Sequence, residues 1–354
     1  MKKMSLTILS VVLLLSCGNV KNIKTKNITS VEIEHILQDS LLNVRALEIV
    51  KETNGAFFLT SSGKAGHIFE SKQDNKISVV YPIAIAPDSI KNNFRSLALT
   101  SKNGFALSIE SPARLYKIKN DENTLVYQEN HPKAFYDALD FWNNQEGIAI
   151  GDPTDGCLSI IITGDGGNNW SKVPCENLPK AKEGEAAFAA SDTNIAIVGN
   201  STWVATGGKS SRILYSSNKG KTWEAIETPV IQGVETTGVY SIDFYDKLNG
   251  FAIGGDYTQP ENNVANKIRT ADGGKTWQLV ASGRNPGYRS CVQYIPNSNG
   301  EKLVAVGFKG VDVSNDAGNT WQHISDQGFY TIRFVSDSVA YAAGAGKVSK
   351  LCFK

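Results

Sequence analysis

Four copies of one turn motif, seven aligned pairs of short apolar strands and a lone alternating segment near the N-terminus predict an all-β fold: a seven-bladed β-propeller closed by an N-terminal strand in the last blade. Composition points the same way. In 354 residues there are 32 Gly and 2 Met, and Val, Ile, Thr, Phe and Tyr recur in short runs, as expected of many strands separated by turns.

The turn motif occurs as Thr163-Gly-Asp-Gly-Gly-Asn-Asn-Trp170, Ser216-Ser-Asn-Lys-Gly-Lys-Thr-Trp223, Thr270-Ala-Asp-Gly-Gly-Lys-Thr-Trp277 and Ser314-Asn-Asp-Ala-Gly-Asn-Thr-Trp321. Asp165, Asn218, Asp272 or Asp316 is placed to cap backbone N–H groups inside the turn, the Gly supplies a positive φ, and the Trp packs into the blade. These segments resemble the Asp-box (BNR) repeat, Ser/Thr-x-Asp-x-Gly-x-Thr-Trp. Such segments are expected to be structural, as stabilising hairpins on the face away from any binding site.

Ahead of the boxes runs a quieter repeat: one variable residue, a small residue, then an apolar strand. The variable residues are Arg45, Arg95, Asp137, Glu185, Tyr240, Arg289 and Tyr330, spaced 50, 42, 48, 55, 49 and 41 residues apart, which suits four-stranded blades. A second apolar strand follows each, as in Phe105-Ala-Leu, Ile148-Ala-Ile, Ile195-Ala-Ile and Phe251-Ala-Ile. Only 24 residues follow Tyr330, enough for three strands, so Val31-Glu-Ile-Glu34 is expected to supply the fourth and leave no open edge. The propeller domain is therefore set at residues 28–354.

Residues 1–17 read as a signal peptide, with Lys2 and Lys3 before the apolar run Ile8–Leu15, which is too short to span a bilayer. Leu14-Leu-Ser-Cys17-Gly18 resembles the bacterial lipobox, which implies lipidation of Cys17, with residues 18–27 as a tether. The expected address is the cell envelope, lipid-anchored and periplasm-facing, with the membrane reached through the lipid only. Export allows disulfides. Cys157 and Cys175 flank a predicted hairpin whose register sets residue 157 opposite 176, and both a bridge and two reduced thiols fit. Cys291 and Cys352 fall in apolar strand patterns as inert core residues.

With 36 basic and 35 acidic residues the net charge is +1, which provides no field for nucleic acid. No Gly-x-Gly-x-x-Gly, Cys-x-x-Cys-His or metal-ligand cluster is present, so no cofactor is expected. In a propeller the seven variable residues ring one mouth of the channel. Asp152 and Asp256, at the ends of second strands, and Trp203 and Tyr257, in the loops beyond, join them on that face. Polar and aromatic groups converging on one concavity make it the expected place for a ligand or partner.

The boxes, with Gly151-Asp-Pro153, Gly184–Ser191, Gly254-Gly-Asp-Tyr257 and Gly287-Tyr-Arg-Ser290, resemble the photosystem II stability/assembly factor-like family, whose bacterial members are often loosely called oxidoreductases. The likeness covers roughly residues 40–350. It implies a propeller that holds a partner by a charged face: here an envelope protein or an anionic, carboxylate-bearing ligand. The competing class is a glycan-active enzyme. Sialidases also carry Asp-boxes and use three Arg with a Tyr–Glu nucleophile, and Arg45, Arg95 and Arg289 with Tyr240 and Glu185 match those residue types. Sialidases have six blades, however, and their Phe/Tyr-Arg-Ile-Pro signature is reduced here to Phe94-Arg-Ser-Leu97. A polysaccharide lyase is a further enzymatic alternative, but His67, His131 and His323 do not fall at the ring position.

Overall fold

The computed structural model describes residues 26–71, 73, 76–87, 89–119 and 122–354; the signal peptide, Cys17 and residues 18–25 of the tether lie outside the described residues. The chain is almost entirely β, and the one helical element among the described residues is a single 3-10 turn at Cys175–Asn177. No helix among them is long and apolar enough to cross a membrane.

Strands β1 (Val31–Val50), β2 (Gly55–Thr60), β3 (Lys64–Glu70) and β4 (Ile77–Ala84) form an antiparallel series. β5 (Phe94–Leu99), β6 (Gly104–Ser108), β7 (Ala113–Lys119) and β8 (Glu122–Glu129) make the next sheet. β9 (Tyr136–Phe141), β10 (Gly147–Pro153), β11 (Leu158–Thr163) and β12 (Ser171–Lys172) make the third. The chain then makes β13 (Glu185–Ala186), β14 (Ile195–Val198), β15 (Ser201–Ala205), β16 (Gly207–Gly208), β17 (Arg212–Ser216) and β18 (Glu224–Glu227). Of these, β14, β15, β17 and β18 form one four-stranded sheet. β13 and β16 extend the following sheet of β19 (Thr237–Phe244), β20 (Gly250–Asp256), β21 (Lys267–Thr270) and β22 (Gln278–Leu279). β23 (Cys291–Tyr294), β24 (Leu303–Gly307), β25 (Gly310–Ser314) and β26 (Gln322–Ser325) follow, then β27 (Thr331–Phe334), β28 (Val339–Ala343) and β29 (Ala345–Phe353).

β1 belongs to two sheets. Its first half pairs antiparallel with β29, from Val31 opposite Phe353 to Asn43 opposite Ala345, and its second half with β2, from Val44 opposite Thr60 to Val50 opposite Gly55. The N-terminal segment is thus the fourth strand beside β27, β28 and β29. First strands touch in succession: β1 on β5, β5 on β9, β9 on β14, β14 on β19, β19 on β23, β23 on β27 and β27 on β1. The core is accordingly divided among the interfaces between neighbouring sheets. Ile148, Ile150 and Ile160 pack against Val204 and Leu214 of the next sheet, and Phe251 and Ile253 against Val292, Leu303 and Ala305. This is the layout of a propeller.

The four repeated turns are wired alike. In the first, the Thr163 hydroxyl donates to Asp165 and accepts the Gly167 N–H at 3.0 Å, while Asp165 Oδ1 accepts the N–H groups of Asn168 and Asn169. Asp272 and Asp316 repeat the pattern, and Asn218 Oδ1 takes the carboxylate's part toward the Thr222 N–H at 2.9 Å. These donors hold the carboxyls of Asp165 and Asp272 down at about 2, side-chain donors contributing most. The fourth and fifth residues of every turn have positive φ even where the fourth is Lys219 or Ala317. The Trp reaches across the seam to the preceding sheet: Trp170 meets Phe105 edge-on at 6.3 Å and Trp321 meets Phe251 at 5.7 Å.

The fourth expected blade departs from the sequence reading. Its first strand is Ile195–Val198, which the repeat alignment took as the second, and the second is Ser201–Ala205. The segment taken as an inner strand, from Glu185, is a two-residue strand followed by an irregular crossing of the centre. Asp192 explains the crossing. Its buried carboxylate accepts the Leu97 N–H at 2.7 Å and the Leu139 N–H at 3.2 Å, from two different sheets. The Ser191 carbonyl accepts the Thr331 hydroxyl at 3.0 Å, and the Asp192 carbonyl accepts Arg333 at 3.1 Å. A polar segment that satisfies backbone groups of several sheets at once outcompetes one more strand. Gly207 and Gly238 let the added strands approach, since a Cβ on Gly238 would lie 2.4 Å from the Gly207 Cα.

The register change moves Trp203. It lies in a second strand and is fully buried, stacked on Phe244 at 3.6 Å, with its indole N–H donated to the Gly273 carbonyl of the third repeated turn. Trp203 is core beneath the turn-bearing face and is not open to a ligand on the other face. Cys157 and Cys175 are joined by a disulfide, with Cα atoms 5.6 Å apart; Cys291 is a free, buried thiol and Cys352 a free, half-buried one.

Candidate functional site

In an antiparallel four-stranded series, the turns between first and second and between third and fourth strands share one face. The loops leaving second strands open on the other. On that second face a bowl of about 430 Å³ is lined by Arg45, Arg95, Asp152, Tyr240, Tyr257 and Tyr330. All six are among the expected binding residues. The crossing segment 186–190 also lines the bowl, and Tyr288, Phe308 and Phe135 complete the wall.

The two arginines are the chemical centre. Arg45 Nη1 donates to the Ala190 carbonyl at 3.1 Å, and its guanidinium sits 4.0 Å over the Tyr330 ring. Arg95 Nη1 donates to the Ala189 carbonyl at 3.3 Å. Burial, with the charge of Arg45 added to it, lowers Arg95 to about 10. Among the described residues neither is ion-paired with a carboxylate, and the Nε of each is buried without a hydrogen-bond partner. Two half-buried guanidiniums side by side are an arrangement that an incoming carboxylate or phosphate relieves. Asp152 is engaged from behind, accepting the Ala187 N–H at 2.8 Å, and burial raises its carboxyl to about 6.

Facing the arginines is an aromatic cluster. Phe188 stacks on Tyr240 at 3.9 Å, Tyr288 stands perpendicular to Tyr240 at 4.8 Å, and Phe308 lies 5.5 Å from Tyr288. The Tyr240 hydroxyl donates to the Thr236 carbonyl at 2.8 Å, and burial pushes that phenol well above its ordinary range. Tyr257 and Phe308 are exposed at the lip. The bowl therefore offers paired cations on one side and an apolar wall on the other.

Besides Trp203, four expected site residues lie elsewhere. Glu185 is buried and gripped by Arg212, with Nη2 at 2.6 Å and Nε at 3.0 Å. Arg289 is buried and spends its guanidinium on Asp312, with contacts of 2.6 Å. Asp256 folds back on its own loop, accepting the Thr258 hydroxyl at 2.6 Å. Asp137 is wholly buried, and burial, reinforced by Asp152, raises its carboxyl well above the ordinary range. Each of these four charges either finds an internal partner or, like Asp137, is pushed by burial toward its neutral form. The sialidase-like constellation is not assembled, since Glu185 answers Arg212, Tyr240 answers Thr236 and Arg289 answers Asp312. Among the described residues no group of three His, Cys, Asp or Glu is placed to hold a metal.

Phe188, Tyr288, Phe308 and the carbonyls of Ala189 and Ala190 were not singled out from the sequence. Phe188 and Tyr288 lie inside the quoted Gly184–Ser191 and Gly287–Ser290 segments, and Phe308 follows Gly307 much as Tyr257 follows Asp256. An aromatic one step past a second strand was the available signal.

No family model matches the chain, and a search of curated proteins returns no match. Solved structures do resemble it. YCF48 bound to D1 peptide superposes with a TM-score of 0.64 at 13% identity, covering 93% of this chain and 98% of that one. YCF48 from Cyanidioschyzon merolae gives 0.64 at 10% identity over 90% of this chain and 98% of that one. Streptogramin B lyase gives 0.65 at 13% identity over 92% of this chain and 98% of that one. At such identities the likeness is one of fold: this chain is an all-β propeller similar to YCF48.

Proposed function

We propose that the chain is an exported, lipid-anchored, seven-bladed propeller that holds an envelope protein, or another carboxylate-bearing ligand, in the bowl around Arg45 and Arg95. The observation that carries this reading is the arginine pair, half-buried side by side with no ion-pair partner among the described residues, opposite an apolar wall. Binding an anion there trades an unfavourable like-charge contact for charge-assisted hydrogen bonds. That a propeller of similar fold is known with a bound peptide supports a protein ligand. The blade count is supported by the strand groupings, with β1 shared between the first and last. The repeated turns would be Asp-boxes with a purely structural role.

The anchor suits this orientation. The first described residues lie on the turn-bearing face: the Ile28 N–H donates to Asn315 at 2.9 Å, and Lys302 donates to the Lys26 carbonyl at 2.6 Å. Eight residues lie between Cys17 and Lys26, and the nine steps give a reach of roughly 30 Å. A lipid on Cys17 would thus keep the turn-bearing face toward the bilayer and leave the bowl open. Two measurements test the proposal. Cys17→Ser is expected to release the protein from membrane fractions. Photo-crosslinking from position 257 in intact envelopes is expected to capture a partner that is lost in Arg45→Gln/Arg95→Gln while the melting temperature hardly moves; unchanged capture by that variant rejects the bowl as the site.

A further inference from the structure

We propose that the open seam between the first two sheets is a second ligand site, for a planar aromatic molecule carrying an acid group. The seam holds a cavity of about 680 Å³, within the range of small-molecule sites. It opens on the turn-bearing face, lined by the turn residues 100–104 and 50–52, and is therefore remote from the bowl.

Comparison with the other seams explains why it is empty of protein. Where a sheet carries the repeated turn, its Trp crosses to the preceding sheet, as Trp170 does to Phe105. In the second sheet Gly104 pairs with Ile118, as Gly147 pairs with Thr163 in the third. Ile118 thus occupies the position of the turn's Thr, and counting on from it places Leu125 at the position of the Trp. The hairpin there is tighter, with Lys119 opposite Glu122, so Leu125 stays on the outer strand, 46% exposed. The seat that an indole fills elsewhere remains open between Phe57, Leu99 and Ile118.

The polar groups lining it select the ligand's other end. His67 packs against Phe69 at 3.8 Å and Phe57 at 5.7 Å, and its Nε2 is buried with no hydrogen-bond partner. Burial lowers its basicity, and the neutral ring, with Nε2 closed off, forms part of the cavity wall. Lys51, Lys102 and Lys119 surround the mouth against the single acid Glu52, and among the described residues none of the three lysines is ion-paired. An apolar slot walled by rings and three cations at its mouth fit a flat aromatic acid. A neutral or cationic ring would leave the lysines unanswered.

Calorimetric titration of the full chain carrying Arg45→Gln/Arg95→Gln, which removes the cations of the bowl, with 2-naphthoate, and with 2-naphthamide as its neutral counterpart, tests this. One saturable site is expected, with the acid bound at least about tenfold tighter than the amide. Lys102→Gln/Lys119→Gln, both exposed and harmless to folding, should erase that preference. Because this background lacks the arginines of the bowl, failure here and failure of the bowl reading are separable. No saturation at millimolar ligand, or equal binding of acid and amide, would overturn the proposal.

Discussion

Replacing Asp192 by alanine removes the acceptor of two backbone N–H groups in different sheets, Leu97 at 2.7 Å and Leu139 at 3.2 Å. Both bonds are buried. Each N–H left without a partner costs about 1–3 kcal/mol, so the pair sets a loss of about 2–6 kcal/mol. An opposing effect exists: burial holds the Asp192 carboxyl well above the ordinary range, so its charged form is itself unfavourable near neutrality, and removing it recovers part of the loss. A net destabilisation of about 2–4 kcal/mol is expected in urea unfolding at pH 7. Hydrogen exchange provides the specific readout, because the Leu97 and Leu139 amides should lose protection while amides in the outer strands keep theirs. A loss under about 1 kcal/mol, with both amides still protected, would show that the crossing segment is not what ties the sheets together at the centre.

Asp140 lines a central cavity with Asp192, Asp243, Glu48 and Arg333, and burial, with Glu48 next, raises its carboxyl to about 7. Because the folded state then holds this proton more tightly than the unfolded chain, the stability it contributes is full below about pH 4 and lost as pH rises through 7. Asp140→Asn should therefore be about 1–3 kcal/mol more stable than the parent at pH 8 and equal to it at pH 4, measured by denaturant midpoints; a pH-independent difference would refute the assignment. Trp203→Ala should cost about 3–5 kcal/mol in the same assay, as expected of a core aromatic; a loss near zero would mean that the indole is not packed as described. Arg289→Met leaves the Asp312 charge buried without its guanidinium and should cost about 3–5 kcal/mol. Adding Asp312→Leu should recover most of that loss, and a double variant no better than the single would refute the pairing.

Much of the fold was legible because it is periodic. A turn that needs a Thr or Ser hydroxyl, a carboxylate or amide oxygen and two left-handed residues leaves a spaced signature, and the closing strand shows as alternation in Val31–Glu34. The fourth blade was misread because Glu185-Ala-Ala-Phe-Ala has the small-apolar pattern of an inner strand. Nothing local reveals that Asp192 will meet the N–H groups of Leu97 and Leu139, more than fifty residues away in the chain. That one error displaced Trp203 from core to rim. It also hid Phe188 and the carbonyls that hold the arginines.

For the site, sequence by itself determined which residues arrive near the mouth of the ring, because repeat position sets height along the axis. Arg45, Arg95, Asp152, Tyr240, Tyr257 and Tyr330 do line one bowl. Only the tertiary structure decided which charges remained available there. Arg289 and Glu185 look no different in sequence from Arg45 and Arg95, yet Asp312 and Arg212 from neighbouring strands neutralise them. Arg45 and Arg95 meet carbonyls and each other instead. Whether a charge is free depends on what stands within about 4 Å of it in space, and strand packing sets that neighbour: Asp312 lies 23 residues from Arg289, and Arg212 lies 27 from Glu185.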